Sequence, residues 1–173
     1  MQYNHFQHTG VYHQGAVYIF GGLEAPGYAT NFNEMYPLEA EDWIAIAPMA
    51  LPRNLHSACI FEDYIYIAGG LSNPCIERFN PMRNRMDLLP IALPHRLAVC
   101  LISTPDGIYA LLEKTGVFKI DPRTETIKDA CDLQDKDHTW PSTPPIVLQN
   151  KAYLVRKDIF WEFDLATMQL TKL

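Results

Sequence analysis

Val17-Tyr18-Ile19-Phe20-Gly21-Gly22 returns as Ile65-Tyr66-Ile67-Ala68-Gly69-Gly70, 48 residues further along the chain. Both runs are rich in β-branched and aromatic residues, which favour strands, and both end at a double glycine. A fixed period of about 20–50 residues is typical of proteins built from copies of one supersecondary unit. The two runs therefore predict a repeat architecture.

Three rows of landmarks extend the repeat to four copies. The tyrosine of the glycine-ended strand recurs at Tyr18, Tyr66, Tyr109 and Tyr153. A second row lies at Tyr36, Phe79, Ile120 and Phe163, and a third lies seven residues further on, at Trp43, Met86, Ile127 and Leu170. Because three independent rows keep a spacing of 41–48 residues, we predict four repeats.

Each repeat contains short strands separated by glycine, proline, asparagine and aspartate. The second repeat shows them most clearly, at 57–61, 64–68, 77–79 and 85–88. No segment of helical length carries apolar residues at a spacing of 3.6. The pattern predicts an all-β fold of four-stranded antiparallel blades arranged as a β-propeller.

The second copy resembles the kelch repeat, because it has Arg53-x-x-His56, Gly69-Gly70 and Phe79-Asn80-Pro81. The first copy keeps its glycine pair, and the last two keep only Ile120-Asp121-Pro122 and Phe163-Asp164. The resemblance implies one kelch-type β-propeller domain over residues 1–173, either whole or as part of a larger ring. The expected blades are 5–49, 53–90, 96–130 and 140–173.

Composition and charge argue against several classes of partner. The formal net charge of −6 and the pI near 5.4 provide no basic face for nucleic acid. No apolar run approaches the roughly 18–20 residues of a membrane span. The four cysteines form no CxxC pair and no glycosylation sequon occurs, so we expect a cytoplasmic protein.

Enzyme chemistry finds little support in the sequence. The glycine pairs lack the lysine of a phosphate loop, no GxSxG elbow occurs, and His8 and His56 occupy one repeat position that suits packing between blades. We therefore predict no catalytic residues, no metal and no cofactor. The alternatives left open are a propeller enzyme, such as a copper radical oxidase or a sugar isomerase, and a cytoskeleton-associated structural protein.

Binding is expected at loops on one mouth of the propeller. Arg53 and Arg96 occupy equivalent positions and could bind an acidic peptide, although Arg53 could instead brace a turn. The loop 23–33 is long and aromatic, and 138–140 occupies the matching place before the fourth blade. The partner-binding candidates are therefore Arg53, Asn54, His95, Arg96, Tyr28, Phe32 and Trp140.

The prediction that follows is a non-catalytic module that binds a peptide or loop of a protein partner. The kelch resemblance implies a role as substrate receptor, as in ubiquitin ligases, or as a scaffold. Four blades are few for a kelch ring, and an unclosed fan would expose packing faces. A longer natural chain, association of two copies or a ring of four blades would each resolve this, and blade-number statistics favour the first.

Overall fold

The computed structural model describes residues 6–70, 73–94, 99–112, 115–131, 145–156 and 159–173. Its strands form four antiparallel sheets of four, each in chain order. Blade 1 contains β1 (Thr9–His13), β2 (Ala16–Ala25), β3 (Tyr28–Pro37) and β4 (Ile44–Ile46). Blade 2 contains β5 (His56–Phe61), β6 (Tyr64–Gly69), β7 (Cys75–Asn80) and β8 (Arg85–Ala92).

The other two blades repeat this arrangement. Blade 3 contains β9 (Val99–Thr104), β10 (Gly107–Leu112), β11 (Gly116–Asp121) and β12 (Thr126–Cys131). Blade 4 contains β13 (Ile146–Leu148), β14 (Lys151–Arg156), β15 (Ile159–Asp164) and β16 (Gln169–Lys172). The described residues contain no α-helix, and the one helical segment is a short 3₁₀ turn at Pro81–Arg83. The predicted all-β propeller of four antiparallel blades is confirmed.

The order of the strands decides which connections lie together. In each antiparallel meander the first and third turns lie at one end of the blade. The second turn lies at the opposite end, where the chain also passes from one blade to the next. We call this opposite end of the propeller the linker end.

Three apolar clusters fill the spaces between neighbouring blades. In blades 1 to 3 the tyrosine row faces the next blade, and these side chains are 3–7% exposed: Tyr18, Tyr66 and Tyr109. The second-row residues of the following blade pack against these tyrosines and are at most 1% exposed: Phe79, Ile120 and Phe163. Burial of large apolar side chains between blades is therefore what joins them.

The glycine pairs lie where the blade-to-blade segment crosses the second strand, within β2 in blade 1 and at the end of β6 in blade 2. Gly70 has a φ of +100°, and a Cβ there would lie 2.8 Å from the carbonyl oxygen of Asn54. Gly21 has a φ of +51°, and a Cβ there would lie 2.7 Å from the carbonyl oxygen of Arg53. Close backbone approach and positive φ both require glycine at these positions.

One predicted loop is a β-hairpin. Residues 23–33 were expected to form an irregular connection, but β2 and β3 continue pairing beyond the bulge at Gly21, with Gly22 opposite Thr30 and Leu23 opposite Ala29. The turn at Pro26-Gly27 closes the hairpin, and Gly27 has the positive φ that a type II turn needs at this position. Blade 1 therefore has two ten-residue strands.

We call residues 47–55, which join blade 1 to blade 2, the linker. Replacement of Gly70 by alanine tests how closely the linker approaches the backbone of blade 2. Gly15→Ala is the matched control, because Gly15 also has a positive φ, +81°, but a Cβ there meets no atom within 4 Å. We expect Gly15→Ala to lower the free energy of unfolding by about 1–2 kcal/mol, the cost of a left-handed alanine. Gly70→Ala should cost more, measured by urea denaturation; equal losses would contradict the crowding.

Candidate functional site

The hairpin of β2 and β3 presents aromatic side chains to solvent at the linker end. Tyr28 is 73% exposed and Phe32 is 42% exposed, and both lie on β3. Glu24, near the tip, is also exposed. Exposed apolar side chains that lie close together mark a candidate surface for a protein partner.

Hydrogen bonds to the segment between blades 1 and 2 hold the hairpin. The amide of Met49 donates to the carbonyl of Asn31 at 3.0 Å, and the Asn31 side chain donates back to the carbonyl of Met49 at 2.8 Å. The amide of Arg53 donates to the carbonyl of Thr30 at 3.2 Å. Asn33 donates to the carbonyl of Ala47 at 2.7 Å. The hairpin is therefore fixed along one side by main-chain and side-chain bonds.

Leu51 is a further candidate residue, which the sequence patterns did not indicate. It is 45% exposed and lies between Met49 and Arg53, which both bond to β3. Its position brings a third apolar side chain beside the hairpin strand that carries Phe32. We call Tyr28, Phe32 and Leu51 the hairpin patch. The available signal was an apolar residue followed by proline in a segment between two blades.

Arg53 lies beneath this surface. It is 1% exposed, and its guanidinium donates to the carbonyls of Gly69 and Cys75 at 3.2 and 3.0 Å. The same group donates to Glu77 at 2.5 Å, and neither side chain of that pair is exposed. Burial lowers the pKa of Arg53, while the charge of Glu77 opposes that change. These contacts show that Arg53 braces the segment between blades 1 and 2. Its guanidinium has no exposed surface that could bind an acidic peptide.

The remaining predicted residues divide into two groups. Asn54 is 9% exposed and donates to the Gln7 side chain at 2.8 Å, so most of its surface is used within the molecule. His95, Arg96 and Trp140 lie outside the described residues. The structure therefore brings Tyr28 and Phe32 to one exposed hairpin and leaves Arg53 and Asn54 inside the linker.

His56 and His8 share a repeat position but not an environment. His56 is fully buried, and its Nε2 lies 3.0 Å from the carbonyl oxygen of Phe20 in blade 1. A carbonyl can only accept, so the neutral ring carries its proton on Nε2. Burial, with the nearby charge of Arg53, lowers the pKa of His56 to about 3. His8 is exposed, so the expected packing between blades holds only for His56.

The first strand of each blade, β1, β5, β9 and β13, lies at the propeller axis. Together these four inner strands line a shallow cavity of about 320 Å³. Its walls are mainly apolar and include Val11, Tyr12, Ile60, Leu101 and Val147. Among the described residues, no group of three or more His, Cys, Asp or Glu side chains is placed to hold a metal ion. The described part of the chain also lacks a helix with the length and hydrophobicity of a membrane span.

Known proteins resemble the chain over parts of their length. No protein-family model matches it. Beta-scruin of Limulus polyphemus is 34% identical over 69 residues, which are 36% of this chain and 8% of beta-scruin. The F-box/kelch-repeat protein SKIP30 of Arabidopsis thaliana is 24% identical over 134 residues, which are 74% of this chain and 37% of SKIP30.

Kelch-like protein 15 of Danio rerio is 28% identical over 98 residues, which are 49% of this chain and 16% of that protein. The chain is similar to kelch-repeat proteins. The solved structure of YjhT has a TM-score of 0.76 with this chain at 16% identity, over 96% of this chain and 64% of YjhT, and shares its propeller fold. The chain spans well under half the length of these three curated relatives.

Removal of the Arg53 charge should be far more costly than removal of an exposed arginine. Arg53→Met leaves Glu77 buried without its counter-ion, so we expect a loss of about 3–5 kcal/mol in the free energy of unfolding. Arg123→Met is the matched control, because Arg123 pairs with Glu62 at 2.8 Å while both remain more than half exposed. The control should cost no more than about 1 kcal/mol by urea denaturation. Equal losses would contradict the bracing role.

His56 should make the fold sensitive to mild acid. Its folded pKa is depressed, so the unfolded chain binds a proton that the folded chain does not once the pH falls below about 6.5. The contribution of neutral His56 to the free energy of unfolding is therefore fully present above that pH. It declines as the pH falls towards 3, by about 2 kcal/mol at pH 5. Urea denaturation at pH 7.5 and 5 should show a smaller pH effect in His56→Gln. An unchanged pH effect would contradict this assignment.

Proposed function

We propose that this chain is a non-catalytic interaction module that binds an apolar segment of a partner protein at the hairpin patch. The observation that carries the proposal is an exposed pair of aromatic side chains on a hairpin tied to the linker. Aromatic side chains supply most of the binding energy at many interfaces. A surface that is already ordered loses little conformational entropy when it binds.

The character of the partner follows from what surrounds the patch. Tyr28 combines an apolar ring with a hydroxyl group, so it suits a surface that is apolar at its centre and wet at its edge. Arg53 no longer supports a preference for acidic peptides, because its guanidinium is buried. That preference now depends on His95 and Arg96, which remain a proposal.

The names of two relatives support a receptor or scaffold role. One is an F-box/kelch-repeat protein and another is a kelch-like protein, so kelch repeats occur there in longer chains. We propose that this chain likewise presents a bound partner to other proteins. All four of its cysteines are free, which favours action in the reducing cytoplasm.

Substitution of the aromatic pair provides the test. Tyr28→Ser with Phe32→Ser should lower the amount of specifically retained partner more than tenfold, because each lost anchor costs roughly 2 kcal/mol and about 1.4 kcal/mol corresponds to a factor of ten. The measurement is quantitative mass spectrometry of proteins retained on the immobilised chain. Both substituted side chains are exposed, so the fold should keep its circular dichroism spectrum.

Met82→Ser is the matched control. Met82 is 83% exposed in the 3₁₀ turn between β7 and β8, which lies at the end of the propeller opposite the patch. The control should retain the same partners as the unmodified chain. If the double variant retains them equally well, the hairpin patch is not the binding site.

A further inference from the structure

The first and third turns of neighbouring blades meet at the end of the propeller opposite the linker end. Between blades 2 and 3, Arg123 on the third turn of blade 3 closes this joint. Its guanidinium donates to the carboxylate of Glu62, on the first turn of blade 2, at 2.9 and 2.8 Å. It also lies 5.1 Å from the centre of the Phe61 ring. A carboxylate and an aromatic ring of one blade therefore hold a cation of the next blade.

Ala166 occupies the place of Arg123 in blade 4. The two residues belong to turns of the same construction, in which an aspartate side chain accepts from a backbone amide two residues further on. Asp121 accepts from the amide of Arg123 at 2.9 Å, and Asp164 accepts from the amide of Ala166 at 2.8 Å. The joint between blades 3 and 4 therefore lacks the side chain that fills the joint between blades 2 and 3.

A pocket of about 260 Å³ lies at the joint between blades 3 and 4. Pockets for drug-sized ligands begin at roughly 300 Å³, so this volume suits a single side chain better than a larger ligand. We call it the joint pocket. Its lining comes from the turns of both blades and includes Thr104, Asp106 and Tyr109 of blade 3 and Gln149, Asn150 and Ala166 of blade 4.

The joint pocket keeps a carboxylate, but at a neighbouring position. The pairing of the first two strands of each blade aligns the first turns, so Phe61 corresponds to Thr104 and Glu62 corresponds to Pro105. Neither the aromatic ring nor the glutamate is therefore repeated in blade 3. The next residue, Asp106, lines the pocket instead. The acceptor for a cation is displaced by one residue rather than lost.

Asp106 is ionised and can accept further hydrogen bonds. Its carboxylate accepts from the ammonium of Lys119 and from the hydroxyl of Thr104, each at 2.5 Å. These bonds, first that of Lys119, lower the pKa of Asp106. A carboxylate offers about four lone-pair positions, and the Asp106 side chain is 62% exposed. Among the described residues that line the joint pocket, Asp106 carries the only charge, so the lining favours a cation.

We propose that the joint pocket binds an arginine side chain of a protein partner, in the place that Arg123 fills between blades 2 and 3. The planar guanidinium can donate to Asp106 and to the side-chain oxygens of Gln149 and Asn150. The apolar stem of the arginine can lie along Leu165. The net charge of −6 favours the approach of a basic segment. The pocket lies at the opposite end of the propeller from the hairpin patch, so the two sites are independent.

Titration of the isotope-labelled chain with a blocked Ala-Arg-Ala peptide, followed by NMR, tests the proposal. We expect a dissociation constant on the order of 1 mM, as a single anchored side chain gives. The amide resonances of Asp106 and Asn150 should shift, because both residues line the pocket. The matched peptide carries citrulline, which keeps the shape of arginine but not its charge. It should bind at least about tenfold more weakly, because it cannot form charge-assisted bonds.

Two variants of the chain identify the pocket. Ala166→Arg supplies the missing side chain from the chain itself, so it should abolish binding of the arginine peptide. Asp106→Asn removes the charge and should weaken binding about tenfold. Asp63→Asn is the matched control, because Asp63 occupies the same position on the first turn of blade 2 and does not line the pocket. Ala166, Asp106 and Asp63 are all exposed, and near-UV circular dichroism confirms that each variant is folded.

The outcomes separate this site from the hairpin patch. Tyr28→Ser with Phe32→Ser should bind the arginine peptide as the natural chain does, so failure of one site leaves the other untouched. Equal affinities for the arginine and citrulline peptides would overturn the proposal, because the charge would then play no part. Binding that survives Ala166→Arg, or no binding by the natural chain at a peptide concentration of about 10 mM, would overturn it as well.

Discussion

The buried ion pair between Arg53 and Glu77 fixes the segment that joins blades 1 and 2. Arg53 reaches from this segment to two carbonyls and a carboxylate of blade 2, while its own carbonyl accepts from the amide of Gly22 in blade 1 at 2.9 Å. Glu77 completes the arrangement by accepting from the amide of Ala50 at 2.7 Å. A charge pair withdrawn from water depends on such bonds, and they leave only the Nε of Arg53 buried without a partner in this pair, so the segment has little freedom to move.

The rigid segment explains how blade 1 can present a hairpin longer than any other in the described structure. A two-stranded hairpin that projects alone is only marginally stable in water. Here residues 47–53 run alongside β3 and bond to Asn31, Thr30 and Asn33, so the exposed aromatic side chains sit on a supported strand. The same buried pair therefore serves both the joint between two blades and the surface that we propose for binding.

Local patterns predicted the parts of the molecule that repeat. The strands of blade 2 could be placed from Gly69-Gly70, Phe79 and the turn residues, because each reflects a local backbone or packing requirement. The hairpin was mistaken for a loop, because Pro26-Gly27 resembles an irregular connection and its support comes from residues about 20 positions away. The burial of Arg53 depends on Glu77, 24 residues further on, and no local pattern reports such a contact.

Amide hydrogen exchange of the natural chain tests most directly whether the linker and the hairpin form one rigid unit. The informative amides are those of Gly22, Met49 and Arg53, which donate across the joint between the linker and blade 1. We expect their protection to be close to that of the amide of Leu101 in β9, which donates to Ser57 of the neighbouring blade. Exchange at the rate of an exposed turn would show that residues 47–55 do not brace the hairpin.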